Sequence, residues 1–221
     1  MRTYDDVVRD PGMQAYMRKG DTVLAAMGYT EHGPAHATLT AERAAYVLEA
    51  LGHPPRACEL AKIAGYMHDI GNAVNRHDHA MSGGCLAVSV LERLGFPFDE
   101  IADIAAAVGH HDEATGRPVN PLSAALILAD KSDVRRSRVR EAGGPKRFDD
   151  IHDRVNFAVL EASLAVDPEA GTVRLSLKVD TAIAPIIEYF EIFTTRMTMC
   201  RHAAEYLGIK FQLAINQHEL L

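Results

Sequence analysis

The chain has 221 residues, 48% of them hydrophobic, and a formal net charge of −7. That size suits one domain or one domain with an appendage, and the acidic balance argues against general nucleic-acid binding. No run approaches the roughly 18 apolar residues of a membrane span, and Met-Arg-Thr-Tyr-Asp-Asp at the N-terminus lacks a signal-peptide core. Cys58, Cys85 and Cys200 have neither disulfide-framework nor zinc-thiolate spacing, so a cytoplasmic protein without membrane attachment is expected.

From Tyr4 to Gly52 the pattern is helical. Asp10-Pro11 reads as a cap and a first-turn proline. Met13, Tyr16, Met17, Val23, Leu24 and Met27 follow at helical intervals, and Gly28 breaks the run. Glu31-His32-Gly33-Pro34-Ala35-His36 then leads into a second amphipathic helix through Ala44, Val47, Leu48 and Leu51, closed by Gly52. Pro54-Pro55 restarts the chain, and the apolar helix from Ala57 to Met67 delivers His68-Asp69-Ile70-Gly71, with Gly71 expected as its C-cap. Between Tyr66 and His79 the sequence places three imidazoles (His68, His77, His79) and two carboxylates (Asp69, Asp78) at the end of a buried helix. Groups buried there must be hydrogen-bonded, paired or metal-bound to offset the loss of water.

Met81 to Leu94 is the next helix, broken by Gly95-Phe96-Pro97. Ile101, Ile104, Ala105 and Val108 mark another, which ends in Gly109-His110-His111-Asp112-Glu113. Pro121 to Arg140 reads as one long helix that delivers Asp130 and Lys131. The stretch Lys131 to Arg147 carries seven basic residues against two acidic ones, a local excess that invites a specific anion or forms a solvated face. His53, His152, His202 and His218 have no clustered partners in the sequence.

Beyond Gly143-Gly144-Pro145 the period changes to two. Residues 156–166 and 172–179 read as strands joined by a hairpin loop at 167–171, then comes a helix over 182–207 and a third strand over 209–216. The expected fold class is mainly α: a helical core over residues 1–145, then a small C-terminal α+β (β-β-α-β) appendage over 146–221. This unit holds no ligand cluster and reads as a packing, cover or subunit-interface module, with a second copy of the chain as a partner through it.

The order His36, His68-Asp69-Ile70-Gly71, His79, His110-His111, Asp130 resembles the HD superfamily of metal-dependent phosphohydrolases, over roughly Gly33 to Arg140. The resemblance implies an HD-type helical bundle. It also implies that His36, His68, Asp69 and Asp130 hold a first metal, that His79, His110 and His111 serve a second, and that Asp69 bridges the two. His77 competes with His79 for the middle position, and Ser82-Gly83-Gly84 after His79 favours the latter.

Imidazole and carboxylate without thiolate suit two divalent transition-metal ions, Fe or Mn first, with Zn, Co and Ni as alternatives. Such a pair would clamp a phosphoryl oxygen and activate a water, with Asp69 and His68 as the catalytic residues. Lys131 and Arg135 would hold substrate phosphate, since guanidinium matches its oxygens in a fork, with His32 and His77 as further substrate contacts.

The sequence departs from the family in two places. Asn72 stands where many relatives have lysine, and the Gly-Tyr-Pro triplet of the cyclic-dinucleotide branch is absent after His111. The implied activity is hydrolysis of a phosphate ester in a nucleotide, cyclic dinucleotide or small phosphorylated metabolite. The alternatives are a mixed-valence di-iron oxygenase of the same superfamily and a non-catalytic nucleotide- or metal-binding regulator.

Overall fold

The computed structural model describes residues 1–140 and 150–220. The boundary expected between residues 145 and 146 lies outside the described residues, as do Lys146 and Arg147 of the basic stretch. The helices are α1 (Tyr4–Val8), α2 (Pro11–Ala26), α3 (Pro34–Ala50), α4 (Pro55–Met67), α5 (His79–Leu94), α6 (Phe98–Gly109), α7 (Pro121–Lys131), α8 (Ile151–Ala158) and α9 (Ile186–Tyr206). The strands are β1 (Val159–Asp167), β2 (Thr172–Val179), β3 (Lys210–Ile215) and β4 (His218–Glu219).

Local chemistry starts these helices. Asp10 caps α2 by accepting the Met13 N–H at 2.8 Å, with Pro11 in the first turn. Asn120 and Ser123 form a reciprocal capping box on α7. Helix α7 is buried almost all round, from Leu122 to Ala129, and packs against α3, α4, α6 and α9. A helix apolar on every face belongs at the centre of a bundle. Helices α3 and α4 approach closely where Gly65 faces Ala41, since a Cβ at 65 would lie 2.7 Å from the Ala41 Cα.

The C-terminal strands form one sheet in the order β1-β2-β3-β4. The pair β1–β2 is antiparallel, while β2–β3 is parallel, so α9 is the crossover that returns the chain. Strand β2 alternates as its sequence does: Val173, Leu175, Leu177 and Val179 are buried and the residues between them are not. A single apolar core runs from the helices into this sheet, with α9 packed between α7 and β3. No described helix is long and apolar enough to cross a membrane.

The structure corrects three expectations. The helix expected to reach Arg140 ends at Lys131. Ser132 turns its hydroxyl back to the Ala129 carbonyl at 2.7 Å, and Arg135 is extended, with φ −155° and ψ 149°. Ser and Asp side chains compete with the helix ladder for backbone partners. The segment expected to be a strand from Asn156 begins as α8, because Asp150 accepts the N–H groups of His152 and Asp153 and starts a helix. Gly71 is not a left-handed cap; it lies in a 3₁₀ turn, Ile70–Ala73, where a side chain would collide with the backbone of His79 and Gly83.

Candidate metal centre

Five segments bring their ends to one point. His36 lies in the first turn of α3, His68 and Asp69 directly follow α4, His79 opens α5, His111 follows α6, and Asp130 is in the last turn of α7. His36, His68, Asp69, His79 and His111 are buried, and Asp130 nearly so.

The outer ring nitrogens settle which way each imidazole faces. Nδ1 of His68 meets the Gly65 carbonyl at 2.7 Å, that of His79 the Arg76 carbonyl at 3.1 Å, and that of His111 the Val108 carbonyl at 2.6 Å. Nδ1 of His36 meets Asp133 Oδ2 at 2.7 Å. These oxygens only accept, so each Nδ1 carries the hydrogen and donates it. In a neutral ring the Nε2 lone pair is then left free, the tautomer that ligates metals.

Those lone pairs converge. His36 Nε2 lies 3.2 Å from His68 Nε2, and His79 Nε2 lies 3.1 Å from His111 Nε2. Asp130 Oδ1 is 3.3 Å from His36 Nε2 and 3.7 Å from that of His68. Asp69 is shared between the two pairs: its Oδ2 lies 3.2 Å from His68 Nε2 and 3.6 Å from His36 Nε2, and its Oδ1 lies 3.5 Å from His79 Nε2 and 3.9 Å from His111 Nε2. Two ligand groups result, His36, His68 and Asp130, and His68, Asp69 and His111. Facing lone pairs and carboxylates repel unless a proton or a cation lies between them, so the donor set fits a metal.

The protonation pattern follows the same logic. Burial pulls the His68 pKa down, but the adjacent Asp69 and Asp130 outweigh it and leave it raised above 6.5. Burial and the facing rings of His68 and His79 push His111 down to about 3. Burial also lowers His79. Asp69 and Asp130 stay well below the ordinary carboxylate range despite burial, through His68 for the first and Lys131 and His36 for the second.

A second layer orients these groups. Asn72 donates to Asp69 Oδ1 at 2.8 Å. Asp133, which the sequence did not single out, holds His36 through Nδ1; its signal was only a carboxylate three residues past Asp130. Lys131 is buried, with its ammonium 2.7 Å from Asp130 Oδ2 and 3.4 Å from Glu113.

A cleft of about 600 Å³ adjoins the cluster, lined by Tyr29, His32, Arg76, Asp112 and Arg138 from the helical part and His152, Asn156, Phe193 and Arg196 from α8 and α9. Arg76 Nη1 reaches to 3.3 Å from His79 Nε2, and Asp112 to 4.0 Å. The His32 ring stands edge-on to His36, with centroids 5.5 Å apart, and burial with the nearby Arg138 holds its pKa well below 6.5.

Several expected site residues are placed elsewhere. No hydrogen bond or ion pair among the described residues joins His110 to the cluster, and its Nδ1 is buried without a partner. Neighbouring residues at a helix end point roughly 100° apart, so His110 does not share the direction of His111. His77 is exposed and paired with Asp78 at 2.7 Å, although it lines a smaller pocket that His79 shares. The Lys131 ammonium is committed to carboxylates and does not line the cleft. Arg135 bonds Asp133 at 2.7 Å and lines a separate recess. The C-terminal unit, expected to be a packing, cover or subunit-interface module, forms one wall of the cleft.

Comparison with known proteins finds likenesses over part of the chain. Residues 35–135 match the model of the HD domain. An uncharacterized protein of Methanocaldococcus jannaschii is 24% identical over 181 residues, which span 72% of this chain and 68% of that protein. The crystal structure of a predicted HD superfamily hydrolase from an uncultured Thermotogales bacterium is 22% identical, covers 61% of this chain and 75% of its own, and aligns with a TM-score of 0.43.

Proposed function

We propose that the chain, whose residues 35–135 match the HD-domain model, is an HD-type metal-dependent phosphohydrolase acting on a small phosphorylated metabolite. The observation that carries this reading is the convergence of four imidazole Nε2 atoms on two carboxylates, with every Nδ1 committed to an oxygen. Two divalent ions bound there would supply Lewis acidity toward a phosphoryl oxygen and lower the pKa of water.

The chain's own residues do the rest. Asp69 spans the two ligand pairs, and Asn72 holds its orientation. Arg76, at the cleft edge of His79, is placed to take the charge of an incoming phosphate. His32 donates Nδ1–H to the Thr30 carbonyl at 2.7 Å and stays neutral. It therefore keeps an unprotonated Nε2 that can accept a hydrogen bond from a water or a substrate hydroxyl. The cleft volume of about 600 Å³ suits a metabolite of nucleotide size or below. Tyr29 and Phe193 offer rings to its organic part.

The test is elemental analysis of wild-type and Asp69→Ala protein purified without chelator, in parallel with phosphate release from a panel of phosphate esters. About two transition-metal ions per chain and metal-dependent phosphate release are expected, both lost in the variant. Fully metal-loaded protein that releases no phosphate from any ester, or that consumes O₂ in place of hydrolysis, would overturn the assignment.

A further inference from the structure

Asp133 has a second neighbourhood on the side away from His36. Arg43 of α3, with Arg135 and Arg136 from the segment after α7, lines a recess of about 450 Å³ that shares no lining residue with the cleft beside the metal centre. The basic stretch of the sequence divides here. Lys131 serves Asp130, Arg140 pairs with Asp21, and Arg138 bonds the carbonyls of Glu31 and Asp133. Arg135 and Arg136 remain with Arg43.

Their charge is only partly met. Among the described residues Asp133 is the one carboxylate lining the recess, and it already holds His36 Nδ1 at 2.7 Å and Arg135 Nε at 2.7 Å, with Arg138 3.8 Å away. Arg135 Nη2 is buried without a hydrogen bond, 3.6 Å from Glu31. Among the described residues Arg43 donates only to neutral oxygens, Ser132 Oγ at 2.9 Å and the Ala162 carbonyl at 3.0 Å. Arg136 donates to the Phe157 carbonyl at 2.7 Å and lies 4.4 Å over that ring. Neither Arg43 nor Arg136 has an ion-pair partner among the described residues. Burial lowers the Arg43 pKa, and the nearby Arg135 adds to that against the pull of Asp133. Cations held this close in a partly desolvated recess are stabilised by an anion that accepts their remaining N–H groups.

We propose that this recess is a second anion site, which binds a phosphate group through Arg43, Arg136 and the Ser137 hydroxyl, with Arg135 completing the positive wall. Its phosphate is either the free ion or a monoester, whose organic group would lie on Leu160 and Ala162 at the same recess. No ligand of the cluster lines the recess; Asp133, which lines it, also holds His36.

The experiment is calorimetric titration of inorganic phosphate, and separately of phenyl phosphate, into full-length Asp69→Ala protein, in which the metal centre is disabled. Saturable binding at one site is expected. It should weaken about tenfold or more in Arg43→Gln or Arg136→Gln, and also in Leu160→Asp, which adds a carboxylate at the exposed rim without removing an arginine. Tighter binding of phenyl phosphate supports the ester form of the proposal, and equal affinity supports the free ion. Absence of saturable phosphate binding, or binding that all three substitutions leave unchanged, overturns it. Because the background lacks a working metal centre, a failure of the hydrolase assignment leaves this result unaffected.

Discussion

At the scale of single residues, the decisive feature is the hydrogen on each Nδ1. Asp133 has the strongest hold, being the only ionised acceptor among the four oxygens that fix the ring tautomers. Replacing it with asparagine keeps the size and removes the charge, so Asp133→Asn should weaken metal affinity by about 10- to 100-fold, measured by competition with a chelating dye. The pH dependence follows from His68. Its folded pKa is raised above 6.5, so in metal-free protein a proton occupies Nε2 below that value and a metal must displace it. Metal affinity should therefore fall as pH drops through the raised pKa, by about tenfold per pH unit per proton displaced, and level off above it. The same shift stabilises the metal-free fold below the unfolded value, a contribution that is lost as pH rises through the folded one. A metal affinity that is flat between pH 6 and 8 would contradict this protonation scheme.

The histidines and aspartates that converge were visible in the sequence as residue types at helix ends. Their directions were not. His110 and His111 are chemically equivalent as neighbours in sequence, and only the twist at the end of α6 sends one inward. Asp133 carried no distinguishing local signal, because its partner His36 is 97 positions away.

Among the elements, capping chemistry was the most legible. Asp10 caps α2 and also receives Arg93 of α5 through two bonds of 2.7 Å, so one carboxylate starts a helix and ties two helices together. Asp10→Ala should cost about 1–3 kcal/mol, read from urea midpoints. The bonds from Arg93 outweigh burial and lower the Asp10 pKa. Its contribution is therefore full above the ordinary carboxylate value and lost as pH falls through the depressed one, so the substitution should flatten part of the acid limb of stability. Boundaries were misplaced where a side chain competes with the backbone. Ser132 ends α7 nine residues before the expected stop at Arg140, and α8, started by Asp150, runs on to Ala158 into the strand expected from Asn156. Local apolar pattern carries no record of either contest, since both segments stay partly apolar.

For the whole molecule, the helical part and the sheet share one core, and α9 joins them while presenting Phe193 and Arg196 to the cleft. Arg196 lies 4.5 Å over the Phe193 ring and bonds Glu113 at 2.6 Å, so it is rigidly held at a wall of the site. Arg196→Gln should raise KM for an anionic ester about tenfold, with kcat changed less and metal content unchanged. Equal loss in both constants would move its role to the reacting centre.

The sequence by itself determined the fold class, the alternation that makes β2, and the oxygen and nitrogen donors carried at helix ends. Each of these depends on a residue and its near neighbours. The tertiary structure decided which imidazoles face one another, how Asp69 divides its two oxygens, and that α8 and α9 wall the cleft. It also put Lys131 and Arg135 outside the lining of that cleft. Those outcomes are set by the packing of segments distant in the chain, where burial, ring orientation and charge pairing are fixed together.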